Sequence, residues 1–228
     1  MRSLTGIVAI ALTLALTACS EEQGEAPAAP PSKTETAPPA VAPDPTPAAN
    51  AGSTNDVAGA QAEPFFAQMV LGDVTFQVES PNDSSINQVT VRAEGPEGPI
   101  GQMEAEADGT ITNVEIDDLN ADGYPEIYVY VTSAGSGSYG SLIAYASNQN
   151  KSLSQIYLPS IEDDPAISQG YMGHDEFAVG EGALLRRFPI YKDGDPNAQP
   201  TGGTRQIQYK LEAGEAGWIL RQDRVVEY

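Results

Sequence analysis

Three groups of residues in this chain have the types and spacing to do chemistry. Asp118-Leu119-Asn120-Ala121-Asp122-Gly123 sets oxygen ligands at alternate positions and ends in a glycine, as the opening of a calcium loop does. Glu126 stands at the ninth position, but the twelfth is Val129, and the residues that follow read as a strand. A helix–loop–helix site is therefore excluded. A β-loop calcium site stays open beside the preferred reading, an Asx-rich turn into a strand, and no metal or other cofactor is assigned. The second group is His174, the single histidine, beside Asp175. A Ser-His-Asp triad would have to use it. A structural hydrogen-bonding role is preferred, because the glycine-rich serines lack the Gly-x-Ser-x-Gly elbow and join two strands. The third group is Ser133–Gly140, Ser-Ala-Gly-Ser-Gly-Ser-Tyr-Gly, where Ser136 and Tyr139 carry hydroxyls on a narrow backbone. No charged residue occurs from Ile127 to Asn150. A neutral, hydroxyl-bearing tip of this kind suits insertion into another protein's cleft.

The elements that must hold this tip are legible on either side. Ile127–Thr132 is β-branched and aromatic, and Leu142–Ala146 is a second apolar run, so the loop should crown a hairpin. Further short apolar runs fall at 65–70, 74–79, 88–92, 100–105, 110–116, 154–158, 183–191, 204–211 and 218–226. Turn signals such as Asp108-Gly109 and Asp193-Gly194-Asp195 separate them, and no 12-residue window keeps an apolar stripe at helical spacing. The pattern predicts an all-β domain over residues 64–228. It would be an antiparallel β-sandwich, or a barrel-like sandwich, of about eight or more short strands. Tyrosines on one face of Ile127–Thr132 and aliphatic residues on the other predict either a two-sided core or a surface for a homodimer.

The motif Ser136-Gly137-Ser138-Tyr139 resembles the Ser-Gly-x-Tyr loop of the periplasmic inhibitors of invertebrate-type lysozyme. The flanks Asp118–Tyr130 and Ser141–Pro159, then Gly170–Tyr191 and Tyr191–Leu220, look like that family too, so the resemblance spans most of residues 64–228. It implies a protein inhibitor with no catalytic residues, whose partner is an invertebrate-type lysozyme. It also implies that Ser136, Gly137, Ser138 and Tyr139 form the inhibitory loop.

The N-terminus reads as a targeting segment. Arg2 precedes a short apolar core, Ile7–Leu16, too short to span a bilayer. Leu16-Thr17-Ala18-Cys19 then resembles the lipobox of bacterial lipoproteins, and Cys19 is the only cysteine. The expectation is a signal peptide over 1–18, lipidation at Cys19, and anchoring to the outer membrane with the domain in the periplasm. Residues 19–63 hold eight prolines, many alanines and no aromatic residue, so they should form a disordered tether with a span of roughly 35 Å.

From Pro64 to Tyr228 there are 25 acidic and 9 basic residues, leaving −16. Phosphate binding needs clustered Lys and Arg, so a nucleic-acid partner is excluded. The same charge attracts basic proteins and speeds their encounter. Arg186, Arg187 and Lys192 form the one basic cluster, and on a strand the two arginines face opposite ways, toward neighbouring acids.

Three functions compete on these residues. A lipid-anchored lysozyme inhibitor leads. A non-catalytic envelope module binding another basic protein or a glycan is the alternative, with Tyr128, Tyr130 and Tyr145 as stacking faces. A hydrolase would need a concave pocket around His174 or a close carboxylate pair. Exposure of Ser136 and Tyr139 is what the first requires.

Overall fold

The computed structural model describes residues 63–215 and 217–228. The signal peptide, Cys19 and all of the expected tether except Glu63 lie outside the described residues. Among the described residues twelve strands carry the fold: β1 (Phe65–Leu71), β2 (Val74–Ser80), β3 (Ile86–Gly95), β4 (Gly98–Asp108), β5 (Thr110–Asp117), β6 (Glu126–Thr132), β7 (Gly140–Asn148), β8 (Ser152–Tyr157), β9 (Glu176–Gly180), β10 (Ala183–Pro189), β11 (Thr204–Ala213) and β12 (Trp218–Glu227). A 3-10 turn, Ile161–Asp163, and one helical turn, Pro165–Ser168, link β8 toward β9. The all-β expectation holds. Each predicted run falls on a strand, and the structure adds β9, a five-residue strand with three apolar residues between Glu176 and Gly180.

The strands form two sheets. The first is a four-stranded meander in the order β1-β2-β3-β4. The second has eight strands in the order β5-β6-β7-β8-β12-β11-β10-β9. Every ladder is antiparallel except one short parallel contact, Trp218 and Ile219 of β12 against Ile156 and Tyr157 of β8. The larger sheet curls until its two edges approach each other, close to a barrel. A side chain bridges them: the Glu115 carboxylate of β5 accepts the Val179 N–H of β9 at 2.6 Å and the Tyr130 hydroxyl of β6. Tyr130 and Phe177 stack across the same seam, ring centroids 5.5 Å apart.

Strand alternation sorts the side chains into two cores. Val74, Phe76 and Val78 of β2, with Val89, Val91 and Ala93 of β3, are buried against Ile127, Val129 and Val131 of β6. Tyr128 and Tyr130 of β6 point the other way, into the curled sheet, beside Leu184, Phe188, Ile207, Tyr209 and Leu220. An eight-stranded closure is about wide enough for side chains to fill its interior, and here they do. Because β6 lies between these layers, all its residues but Thr132 are buried. The tyrosine face is therefore core, which removes the ground for reading it as a dimer surface. It also removes the stacking faces proposed for a glycan, since Tyr128, Tyr130 and Tyr145 are all buried.

Candidate functional site

The loop between β6 and β7 starts from a closed neck. Ser133 donates its N–H to the Tyr139 carbonyl at 2.9 Å, and the Ser133 Oγ accepts the Tyr139 N–H at 3.0 Å. Inside the neck the Ser138 N–H reaches the Gly135 carbonyl at 2.9 Å, a tight turn that sets Ser138 at φ +44°. Ser136 is exposed at the tip, and Tyr139 is 47 % exposed at the base. Gly137 and Ser138 are half-buried. The two hydroxyl-bearing residues singled out from the sequence therefore stand outward together on one hairpin.

The loop does not stand alone. It lies on the segment Gly170–Asp175 that precedes β9. The His174 N–H donates to the Gly137 carbonyl at 2.7 Å, and the Gly140 N–H donates to Asp175 Oδ2 at 2.8 Å. From a third segment, Asn197 Nδ2 donates to the Ser136 carbonyl at 2.9 Å. The approach is so close that side chains are excluded: a Cβ on Gly173, which sits at φ +87°, would meet the Gly137 oxygen at 2.1 Å. A Cβ on Gly140 would meet Asp175 Cβ at 2.5 Å. The glycine at 140 thus answers to packing within the protein.

Under the loop lies a charged, buried network. Arg186 Nε donates to Asp175 Oδ1 at 2.7 Å, with the arginine and aspartate side chains 7 % and 0 % exposed. The Tyr171 hydroxyl donates to Asp175 Oδ2 at 2.7 Å and accepts from Arg186 Nη2 at 2.8 Å. Burial works against the guanidinium charge, but the adjacent Asp175 outweighs it and holds the Arg186 pKa above its ordinary value. Burial, followed by the hydrogen bond to Asp175, pushes the Tyr171 phenol upward. Tyr171 meets the Tyr139 ring edge-on at 5.6 Å and the Phe188 ring at 4.8 Å. A stack of aromatic edges thus connects the exposed loop to the barrel interior. Beside the loop, an open groove of about 480 Å³ runs past Tyr139, Leu142, Tyr157, Glu162 and Tyr171.

The remaining sequence candidates resolve differently. Arg186 pairs with an acid as expected, whereas Arg187 donates to Gln206 Oε1 at 2.6 Å. The two ladders of β10 set Arg187 opposite Gln206 of β11 and Glu176 of β9, and its Nε bonds the amide. His174 has φ +58°, and its ring stacks on Tyr191 and lies 3.4 Å from Asn197 Oδ1. Those contacts fit a structural residue, and His174 does not line the groove.

The Asp118–Glu126 loop folds as an Asx-rich turn. Asp118 Oδ1 and Oδ2 accept the Asp122 and Gly123 N–H groups, and Asp122 Oδ1 accepts that of Tyr124 at 2.8 Å. Asp118, Asp122 and Glu126 bring one carboxylate oxygen each within 4.8 Å of one another, so these are the residues able to hold a cation. Glu126 is buried, and its Oε2 accepts the Leu119 N–H at 2.8 Å. Burial, opposed by that N–H and aided by the Asp118 and Asp122 charges, pushes its pKa up to about 8.

The sequence did not signal Tyr171, Asp175, Arg186 and Asn197 as loop supports. Only the Gly170-Tyr-Met-Gly-His stretch, rich in glycine with no strand pattern, marked a place where two backbones meet.

Comparison with known proteins bears on the same region. A family model described as periplasmic lysozyme inhibitor of I-type lysozyme matches residues 100–167. Among solved structures, Aeromonas hydrophila PliI in complex with Meretrix lusoria lysozyme is 31 % identical. The match covers 40 % of this chain and 80 % of that one, with a TM-score of 0.35. A structure of the Aeromonas hydrophila periplasmic lysozyme inhibitor of I-type lysozyme is 32 % identical over 40 % of this chain and 84 % of that one, with a TM-score of 0.36. No curated protein matches.

Proposed function

This chain belongs to the family of periplasmic lysozyme inhibitors of I-type lysozyme, and from that premise we propose that it inhibits a lysozyme by inserting the β6–β7 loop into the enzyme's cleft. The family is one of protein inhibitors, so the chain is not an enzyme. The observation that carries the loop reading is the joint exposure of Ser136 and Tyr139 on one braced hairpin tip. The related Aeromonas hydrophila protein, described in complex with a lysozyme, supports a lysozyme as partner.

The chemistry is steric and electrostatic. A lysozyme cleft carries a carboxylic acid that protonates the leaving group and a second carboxylate. Hydroxyl donors from Ser136 and Tyr139 can bond such groups, and hydrogen bonds to an ionised acceptor are the stronger kind. The loop carries no charge, so it brings no negative side chain toward those carboxylates. The surrounding domain is acidic, which steers a basic enzyme toward it. Inhibition needs no covalent step: occupancy excludes the glycan. Anchoring through Cys19 to the outer membrane, with residues 19–63 as the tether, would keep the inhibitor beside peptidoglycan.

The deciding experiment is a cell-wall turbidity assay with invertebrate-, chicken- and goose-type lysozymes, with and without the mature protein. Inhibition of the invertebrate type is expected. No inhibition of any lysozyme would overturn the reading and favour an envelope-binding module.

A further inference from the structure

The loop's two outward residues are held by groups far away in sequence, and this suggests where the inhibitory geometry is set. Asp175 lies 35 residues from Gly140 and Asn197 lies 61 residues from Ser136. Both fall outside residues 100–167, the stretch that matches the family model. We propose that Asp175 and Asn197 are positioning residues for the inhibitory loop, fixing Tyr139 and Ser136 respectively; this rests on the loop reading above.

The two positions brace opposite parts of the loop. Asp175 accepts the N–H of Gly140, the residue directly after Tyr139, and so sets where the tyrosine leaves the strand. The carboxylate is itself immobilised by Arg186 and by the Tyr171 hydroxyl, and the Tyr171 ring supports the Tyr139 ring from below. A buried, fully paired carboxylate of this sort is rigid, because any movement would break charged hydrogen bonds. Asn197 donates to the Ser136 carbonyl and so fixes the backbone of the tip. It is held in turn: the Tyr191 hydroxyl donates to the Asn197 carbonyl at 2.8 Å, and Asp195 closes its turn by accepting the Lys192 and Thr201 N–H groups, each at 2.8 Å. His174 adds the middle contact, its N–H on the Gly137 carbonyl.

Ordering a loop before binding removes part of the entropy lost on association. A glycine-rich hairpin has much of that entropy to lose. The braces therefore act on affinity through the order of the loop.

The test uses Asn197→Ala, Asp175→Asn and Tyr139→Ala in the mature protein, read by inhibition constant, dissociation rate, melting temperature and amide order parameters of residues 134–140. Asn197→Ala leaves the buried ion pair intact. It should keep the wild-type melting temperature, lower the order parameters of Ser136 and Gly137, and weaken inhibition about 3- to 10-fold through faster dissociation, the size of one neutral hydrogen bond. Asp175→Asn should weaken inhibition more than 10-fold, but it also leaves Arg186 buried beside a neutral group and lowers stability. Asn197→Ala therefore keeps the proposal falsifiable if that variant misfolds. Unchanged inhibition by Asn197→Ala, while Tyr139→Ala abolishes it, would overturn the positioning role alone. Unchanged inhibition by Tyr139→Ala would instead overturn the loop reading, and this proposal with it.

Discussion

Tyr139 and Tyr171 meet edge to face, ring centroids 5.6 Å apart, yet one is 47 % exposed and the other bonds a buried carboxylate. The pair joins the proposed inhibitory surface to a buried, hydrogen-bonded part of the fold. Tyr139→Ala should therefore remove both a hydroxyl donor and a braced aromatic face, and should harm inhibition more than Ser136→Ala. A lost hydrogen bond to a charged group is worth roughly 1.5–3 kcal/mol, or about 10- to 150-fold in affinity. Since Ser136 and Tyr139 are not core, the double variant should melt within a few degrees of wild type. Titration of invertebrate-type lysozyme activity checks this, and two variants as potent as wild type would contradict it.

Glu126 should make stability fall as pH rises through neutrality. In an unfolded chain the carboxyl loses its proton near 4.5, whereas in the fold it does so near 8, chiefly because it is buried. Between those values the folded state holds the extra proton, so raising the pH favours unfolding, by up to about 1.4 kcal/mol per pH unit. Glu126→Gln imitates the protonated group and should flatten the slope. Melting temperatures from pH 5 to 8 in chelator decide it. A slope that disappears on adding calcium would mean that a cation among Asp118, Asp122 and Glu126 keeps the carboxylate ionised.

Glu115 should matter to stability out of proportion to its place near an edge. Its carboxylate accepts from Val179 N–H and from the Tyr130 hydroxyl, and so ties the first strand of the large sheet to the last. Glu115→Ala leaves both donors without that acceptor, at a cost of roughly 2–4 kcal/mol. That corresponds to a melting temperature lower by about 5–15 °C. Tyr130→Phe, which removes one of the two bonds, should fall between. Denaturation followed by circular dichroism would show whether the seam carries this load; equal stability of all three proteins would say it does not.

Cys19 lies outside the described residues, and its expected role is tested in cells. Cys19→Ala should leave the protein unprocessed or released from the membrane fraction. A Cys19→Ala protein that still takes up lipid label and sediments with the outer membrane would rule the anchor out. Residues 64–228 expressed alone should give a β-type far-ultraviolet spectrum and retain inhibition, because both cores and the loop braces are contained within them.

Much of this protein was readable before any coordinates. Period-two alternation in Val89-Thr90-Val91 and Ile207-Gln208-Tyr209 follows from the pleat, so strand character and inward faces are local properties. The exposed tip was readable for the same reason: glycines and serines between two strongly apolar runs have nothing to bury. What alternation cannot say is how many layers a strand separates. Ile127–Thr132 carries aliphatic residues on one face and tyrosines on the other, and only packing two sheets against β6 made both faces core. β9 is not legible in the sequence because Phe177-Ala178-Val179 is too short to show a period, and its strand state depends on pairing with β10. The parallel contact of β8 with β12 is likewise a consequence of the sheet curling, since the two strands are more than 60 residues apart. The braces of the loop were the least legible part. His174 and Asn197 act on backbone carbonyls, which every residue has, so no side-chain pattern announces the contact. Asp175 beside His174 and Glu126 in the calcium-like loop stand out by position, but nothing in a chain of net charge −21 marks either acid as buried. Tertiary structure alone buried them, and burial is what turned one into a fixed anchor for the loop and the other into a group that titrates near neutral pH.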